Sequence, residues 1–497
     1  MGGRRPRGGG GNHRSGRPDL THGAPGAPGR AGRRPCRAGA HRIRAAWDRM
    51  DRMADAREST DAPATAGAPP SGTADTATPP STFRLGDRPA LTGIRAVGVS
   101  AVLIFHSNFR TLPGAWVALG IFFVLSGFLI TSMLAGEHRR TGTISLSKFY
   151  SRRAVRLVPP LLIAVALIAV YAAVVPVANA GNRIWGDSAA ALLYVSDYRS
   201  AFGHEPLLGF MAQCWSLAVE EQFYLVWAVL FFVALRYAGR KVAYAIAIAG
   251  IALATADRLW VVLHAAHWNA YVAGRAYYAF DTRADALFLG CILGLLATGD
   301  HLQDWKPWAL RATSAAALLS TAVIVWVMLS VGLGARSLPL WWLPITELAS
   351  AVVIVYLVVR PAGWGTRALG LPILVLVGNM SYTIYIIHWP VYVATGPFSK
   401  TDLPWSYWPA ELFRLAIIFG LAAASWYLLE RPLMRWRRRT LTPAPPSTTT
   451  PDGADGAPDP TVGTAAPHPG AVTPAPGPEP APRRRVPQRT GAGPAPE

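Results

Sequence analysis

Apolar stretches of about 20 residues recur through the middle of the chain, separated by polar segments. A helix of about 20 apolar residues crosses the hydrocarbon core of a bilayer, so each stretch predicts a transmembrane helix. We predict an all-α, polytopic integral membrane protein with about ten transmembrane helices. Their expected positions are residues 90–110, 115–134, 158–178, 215–235, 242–263, 281–298, 312–332, 341–360, 371–395 and 408–428. Between the third and the fourth, Ala189–Val195 is a candidate for a short interfacial or re-entrant helix.

Two polar tails flank this apolar region and are rich in Gly, Pro, Ala, Thr and Arg. Segments of this composition bury too little apolar surface to offset their ordering entropy, so both tails are predicted to be disordered. The predicted divisions are a tail at 1–83, a transmembrane domain at 84–436 and a second tail at 437–497. An acidic, Thr/Pro-rich segment follows Met50 and Met53, which supports the hypothesis that translation starts there and that residues 1–49 are not translated.

Composition and charge favour a membrane protein over a soluble one. Charged residues make up 15% of the chain and hydrophobic residues 51%, whereas a soluble domain carries about 25% charged residues. The net charge of +20 is concentrated in the first tail and in loops on one side of the predicted membrane, at 135–157, 236–241 and 431–439. Basic loops face the cytoplasm, so we expect a cell-membrane protein with both termini cytoplasmic and no nucleic-acid partner. The three scattered cysteines suit neither disulfides nor a metal site.

Ionisable side chains inside membrane spans are costly, and each is a candidate for function. Arg95 and His106 are eleven residues apart in the first predicted helix, which places them on nearly one face and about 16 Å apart along the axis. Taken alone, this pair also fits a snorkelling arginine and a structural histidine. Three further predicted helices carry polar groups at a similar depth: Glu220 and Glu221 in the fourth, Asp281, Arg283 and Asp285 in the sixth, and Ser381, Tyr382, Tyr385 and His388 in the ninth. We therefore predict one shared polar cavity.

A basic run precedes the third predicted helix. Arg153 and Arg156 are three residues apart and share a helix face, which suits the binding of phosphate groups. The alternative is a simple positive-inside anchor, which this loop supports equally well.

Taken together, these motifs resemble the acyltransferase 3 family of membrane O-acyltransferases, in family order over about residues 84–436. The matching pieces are Arg95 with His106, Gly120–Ile130, Arg152-Arg153 with Arg156, Trp215–Tyr224, Ser381-Tyr382 leading to His388 and Pro390, and Glu430-Arg431-Pro432. The resemblance implies a ten-helix enzyme. Some members carry an extra SGNH domain, for which the low-complexity second tail at 437–497 is too short, so we expect the stand-alone form. The resemblance also implies that an acyl group, usually acetyl, moves from acetyl-coenzyme A to a hydroxyl of a glycan, lipid-linked saccharide or glycosylated metabolite, with no metal.

The chemistry suggests a role for each residue type. Transfer to an alcohol needs a base, for which His106 is the candidate, with Glu220 or Glu221 fixing its tautomer; direct attack by His106, giving an acyl-histidine, stays open. We assign donor binding to Arg95, Arg152, Arg153 and Arg156. We assign acceptor binding to Tyr224, Arg283, Asp285, Ser381, Tyr385 and His388. The competing interpretations are a transporter or flippase of glycans or lipids, and a membrane sensor that acts through its tails.

Overall fold

The computed structural model describes residues 88–175, 181–203, 209–299, 305–395 and 407–441, and all regular secondary structure in these ranges is helical. The helices are α1 Pro89–Ser107, α2 Val117–Thr141, α3 Leu146–Val174, α4 Gly181–Leu192, α5 Ser196–Phe202, α6 Trp215–Tyr237, α7 Arg240–Leu263, α8 Ala270–Tyr278, α9 Phe280–Thr298, α10 Pro307–Ser330, α11 Leu343–Val359, α12 Trp364–Leu369, α13 Pro372–Thr395, α14 Tyr407–Ser425 and α15 Arg431–Leu441. Short 3₁₀ or π turns precede α6 and α11 and join α14 to α15.

The predicted membrane protein is confirmed. In the described part of the chain, nine helical segments are long and apolar enough to cross a membrane. The sixth predicted span is also a helix, α9, at the expected place, but it falls outside this group because Asp281, Arg283 and Asp285 lie in its first two turns. The two predicted tails lie outside the described residues, except that α15 continues the last span through Leu441.

The basic run belongs to a span rather than to a loop before it. Helix α3 begins at Leu146, twelve residues before the predicted start, and the Ser145 side chain caps it by accepting from the Lys148 backbone N–H at 3.4 Å. The helix then continues through Pro159 and Pro160. Arg153 and Arg156 therefore share a helical face, as their spacing indicates.

Glycines set the close approach of the helices that carry the site. A Cβ atom on Gly127 of α2 would lie 1.9 Å from the Leu287 carbonyl oxygen of α9, and one on Gly290 would lie 2.1 Å from the Val124 carbonyl oxygen. A Cβ atom on Gly378 of α13 would lie 2.0 Å from the Thr92 carbonyl oxygen of α1. Only glycine permits these separations, so Gly127 and Gly290 bring α2 against α9, and Gly378 brings α13 against α1.

Two short helices, α4 and α5, fill the long connection between α3 and α6. The predicted short helix at Ala189–Val195 corresponds to the end of α4 and the turn after it. In that turn Tyr194 has a φ of 54°, and its carbonyl accepts a hydrogen bond from Gln222 Nε2 at 2.8 Å. Gln222 also donates to Asp197 Oδ1 at 2.9 Å. Because Gln222 is seven residues inside α6, the turn packs about 10 Å along that helix from its first residue.

Candidate active site

A large cavity opens among α1, α2, α3 and α6 at the end of the bundle where the basic residues lie. Its volume is about 1180 Å³. We call it the basic cavity, because six arginines line it: Arg95, Arg139, Arg140, Arg152, Arg153 and Arg156. The four arginines assigned to donor binding are all present. Arg139 and Arg140 were not assigned to donor binding from the sequence, which placed them in the 135–157 loop. In the structure α2 continues through Thr141, and both arginines lie in its last turn.

Carboxylates and a tyrosine organise part of this arginine cluster. Arg153 Nη2 donates to Glu221 Oε1 at 2.7 Å, and the Arg153 guanidinium lies 3.5 Å from the centroid of the Tyr224 ring. Glu220 accepts from the Ser126 hydroxyl at 3.1 Å and from the Tyr224 hydroxyl at 3.2 Å. The side chain of Arg153 is therefore held in one orientation from two sides.

A second cavity, of about 690 Å³, opens toward the opposite end of the bundle. We call it the aromatic cavity, because nine aromatic side chains line it together with His106: Phe105, Phe109, Trp116, Trp215, Tyr271, Tyr277, Tyr278, Tyr385 and Trp389. None of the described residues that line it is Asp, Glu, Lys or Arg. Burial raises the pKa of Tyr277 and Tyr278 in α8, so both hydroxyls are neutral. Aromatic faces and neutral hydroxyls suit an uncharged polar ligand with apolar faces.

His106 is paired with a second histidine. His106 Nδ1 lies 3.1 Å from His388 Nε2, and His388 Nδ1 lies 2.5 Å from the carbonyl oxygen of Tyr385. A carbonyl only accepts, so His388 carries its proton on Nδ1, and its Nε2, when the ring is neutral, accepts from His106 Nδ1–H. This chain of hydrogen bonds leaves the lone pair of His106 on Nε2. His106 is thereby prepared to act as a base at one defined atom.

The comparisons with known proteins identify the family of this chain. The chain matches the family model described as an acyltransferase domain, that of acyltransferase 3, over residues 88–430. This chain belongs to the acyltransferase 3 family.

Among similar proteins, it is 28% identical over 362 residues to the peptidoglycan O-acetyltransferase OatA of Listeria monocytogenes serovar 1/2a, covering 70% of this chain and 56% of the relative. It is also 28% identical over 370 residues to the O-acetyltransferase OatA of Staphylococcus aureus strain NCTC 8325, covering 70% and 57%. The chain thus spans little more than half the length of these curated relatives. No solved structure matches it.

Within this acyltransferase 3 chain, the expectation of one shared polar cavity is wrong. Glu220 and Glu221 line the basic cavity, whereas His106 lines the aromatic cavity. Neither carboxylate is the partner of His106, which contacts His388 instead. His388 was assigned to acceptor binding, but its side chain is fully buried behind His106.

The other residues assigned to acceptor binding do not lie in one place. Tyr385 lines the aromatic cavity as expected, whereas Tyr224 lines the basic cavity. Ser381 is buried, lines neither cavity, and its hydroxyl has no hydrogen-bond partner among the described residues. Sequence position alone did not separate these residues, because depth within a helix does not specify which neighbour a side chain faces.

Arg283 and Asp285 of α9 form buried ion pairs, whereas Asp281 in the same helix is exposed and pairs with Arg275. Arg283 Nη1 lies 3.1 Å from Glu347 Oε1, and Arg258 Nη1 lies 2.5 Å from Asp285 Oδ2. All four side chains are buried, and neither cavity is lined by any of them. The structure therefore brings neither Arg283 nor Asp285, both assigned to acceptor binding, to the lining of either cavity. Their partners, on α11 and α7, lie 64 and 27 residues away and were not predictable from spacing.

Proposed function

We propose that this chain is a membrane O-acyltransferase. In this proposal an acyl group, acetyl in the first instance, passes from acyl-coenzyme A in the basic cavity to a hydroxyl of a glycan in the aromatic cavity. The observation that carries the proposal is the pairing, in one helical bundle, of an arginine-lined cavity with a histidine whose basic atom is defined. Two similar proteins are named as O-acetyltransferases, one of them acting on peptidoglycan. We extend that activity to this chain.

The basic cavity suits a ligand that carries several phosphates. Guanidinium groups bind phosphate oxygens bidentately. Arg95 and Arg156 are half-buried and make no hydrogen bond or ion pair with the described residues, so their donors are available to a ligand. The cavity is larger than the roughly 300–1,000 Å³ of ordinary small-molecule sites, as a nucleotide with a long arm requires. Acyl-coenzyme A supplies an activated thioester when it is bound.

His106 is the proposed general base. Its Nε2 takes the proton from the acceptor hydroxyl while the oxygen forms a bond to the acyl carbon and the carbon–sulfur bond breaks. His388 accepts from His106 Nδ1–H throughout, so the ring does not rotate or change tautomer before the reaction. The proton taken by His106 is available to the departing thiolate, which leaves both histidines as they began.

The aromatic cavity is the proposed acceptor site. Sugars present apolar ring faces that stack on aromatic side chains, and Trp215 lies with Tyr277 and Tyr278 at ring-centroid distances of 5.1 and 4.9 Å. The acceptor classes we propose are a cell-wall glycan, a lipid-linked saccharide or a glycosylated metabolite. By the positive-inside rule, the basic cavity faces the cytoplasm, both termini are cytoplasmic, and the protein is placed in the cell membrane.

The test is acyl transfer by the purified full chain in lipid nanodiscs, which give both ends access to solution. Radiolabelled acetyl-coenzyme A is the donor, and peptidoglycan fragments, lipid-linked saccharides and glycosides are separate acceptors. Transfer should fall by about 10²–10⁴-fold in His106→Ala. It should be unchanged in His264→Ala, a matched control whose exposed histidine lines neither cavity. Absence of both transfer and coenzyme A binding would reject the proposal in favour of a transporter.

A further inference from the structure

The two cavities are separated by a thin wall. Three helices supply residues to both cavities, within two or three positions of each other. These are Leu119 and Phe122 in α2, Trp215 and Leu217 in α6, and Tyr385 and Tyr382 in α13, the first of each pair lining the aromatic cavity. At 1.5 Å per residue, these spacings correspond to about 3–4.5 Å along each helix. The wall is therefore about one helical turn thick.

A pair of hydroxyl groups joins α6 to α13 inside this wall. Ser216 Oγ lies 2.6 Å from the Tyr385 hydroxyl, which in turn donates to the Gln213 carbonyl oxygen at 2.9 Å. Ser216 Oγ also lies 3.4 Å from this carbonyl oxygen, so the two hydroxyls and the carbonyl form one hydrogen-bonded group. Both side chains are buried. The wall is thus closed at this point by hydrogen bonds between side chains.

The neighbouring part of the wall is packed differently. Phe123 is fully buried and meets Trp215 edge-on, with a centroid distance of 6.2 Å. Parting such rings would open a void in a close-packed interior. When Ser216 and Tyr385 separate, they lose the hydrogen bond between their hydroxyls. An entering polar group, such as a carbonyl oxygen, can replace that hydrogen bond. The hydroxyl pair is therefore the place where the wall opens most easily.

We propose that Ser216 and Tyr385 form the passage between the two cavities and that the Tyr385 ring limits the size of the acyl group that crosses it. This inference rests on the proposed function, because it assumes a donor in the basic cavity and an acceptor in the aromatic cavity. A rotated Tyr385 ring leaves a small opening beside Ser216. An acetyl group fits this opening, and a longer acyl chain meets the ring.

The first experiment measures the choice of donor. Acetyl-, butyryl- and hexanoyl-coenzyme A compete in nanodiscs with wild type, Tyr385→Ala and Tyr385→Phe. The hexanoyl-to-acetyl ratio should rise at least tenfold in Tyr385→Ala, since pocket contacts discriminate about 10- to 200-fold per methylene. It should change less than about threefold in Tyr385→Phe, the matched control that keeps the ring. An unchanged ratio in Tyr385→Ala would overturn the size limit.

The second experiment tests the wall without requiring acyl transfer. In a chain with all three cysteines replaced (Cys36→Ser, Cys214→Ala and Cys291→Ala), Ser216→Cys is treated with a charged, membrane-impermeant methanethiosulfonate. Tyr271→Cys and Arg139→Cys report the openings of the aromatic and basic cavities, where both native side chains are exposed.

Labelling of Ser216→Cys should be at least tenfold slower than labelling of either control, and it should accelerate when Tyr385→Ala is added. Labelling of Ser216→Cys as fast as that of a control would contradict the inference that a wall separates the two cavities. Slow labelling in a protein that transfers no acyl group would support the wall and reject the proposed function, so the two failures are distinguishable.

Discussion

Replacement of His388 tests the hydrogen-bonded histidine pair most directly. In His388→Ala the acceptor of the His106 Nδ1–H bond is lost, and that bond measures 3.1 Å between two side chains with little solvent access. A buried donor left without a partner costs about 1–3 kcal/mol. That cost favours rotation of the His106 ring or a change to its other tautomer. The other tautomer carries its proton on Nε2, the atom that must accept one.

The expected loss follows from that energy. One to three kcal/mol corresponds to about a 5- to 150-fold decrease in kcat for His388→Ala, smaller than the about 10²–10⁴-fold expected for His106→Ala. His388→Gln offers an amide oxygen to His106 Nδ1–H and should recover most of the lost rate. Donor affinity should stay within about threefold, because the arginines lie in the other cavity.

The assay measures initial rates of acetyl transfer and coenzyme A binding in the same nanodiscs, with thermal unfolding as a check on folding. A purely structural role for His388 would lower stability and affect donor and acceptor steps together, without rescue by glutamine. The reasoning is refuted if His388→Ala retains its rate within threefold, or if its loss appears as a weaker affinity for coenzyme A.

Four further predictions address the other parts of the molecule. Arg153→Ala should weaken coenzyme A binding about 10- to 100-fold by calorimetry, because a charge-assisted bond to phosphate contributes about 1.5–3 kcal/mol; an unchanged affinity would favour a simple membrane anchor. A chain of residues 80–440 should retain transfer activity in membranes, since the described cavities lie within it, and inactivity after correct insertion would contradict this. Burial raises the pKa of Asp197, in α5 outside the spans, from 3.8 to about 6. The folded state then holds more protons than the unfolded state, so stability should fall as the pH rises through that window, and Asp197→Asn should flatten the pH profile of the unfolding temperature. Glu347→Gln should destabilise the bundle by about 3–5 kcal/mol by leaving its arginine partner unpaired, and replacement of both partners by methionine and leucine should restore stability in thermal unfolding.

The spans and the shared face of Arg153 and Arg156 were predictable from the sequence because their signals are local. A run of apolar residues identifies a span whatever its neighbours are. Arg153 and Arg156 share a face because the helical period fixes it, and α3 continues through them. The eleven-residue spacing likewise placed Arg95 and His106 toward opposite ends of α1, where they line different cavities.

The division into two cavities was not predictable, and the reason is geometric. The wall is about one helical turn thick, and each residue of error in a helix end shifts a side chain by 1.5 Å. An uncertainty of several residues therefore exceeds the thickness of the wall. Glu220 or Glu221 was expected beside His106 at a similar depth, yet both carboxylates line the basic cavity and His106 lines the aromatic cavity. The partnership of His106 with His388 depends on the approach of α1 to α13, which no local pattern encodes.

The difference in charge between the two cavities determines which chemical groups can cross the wall. Six arginines and two glutamates line the basic cavity, which leaves an excess of four basic side chains. The described lining of the aromatic cavity carries no Asp, Glu, Lys or Arg, so a phosphate that entered it would lose its charge partners at a high desolvation cost. A neutral acyl group enters without this desolvation cost. Under the proposed function, charge holds the donor on one side of the wall, while the hydroxyl pair of Ser216 and Tyr385 admits only its small, uncharged acyl group.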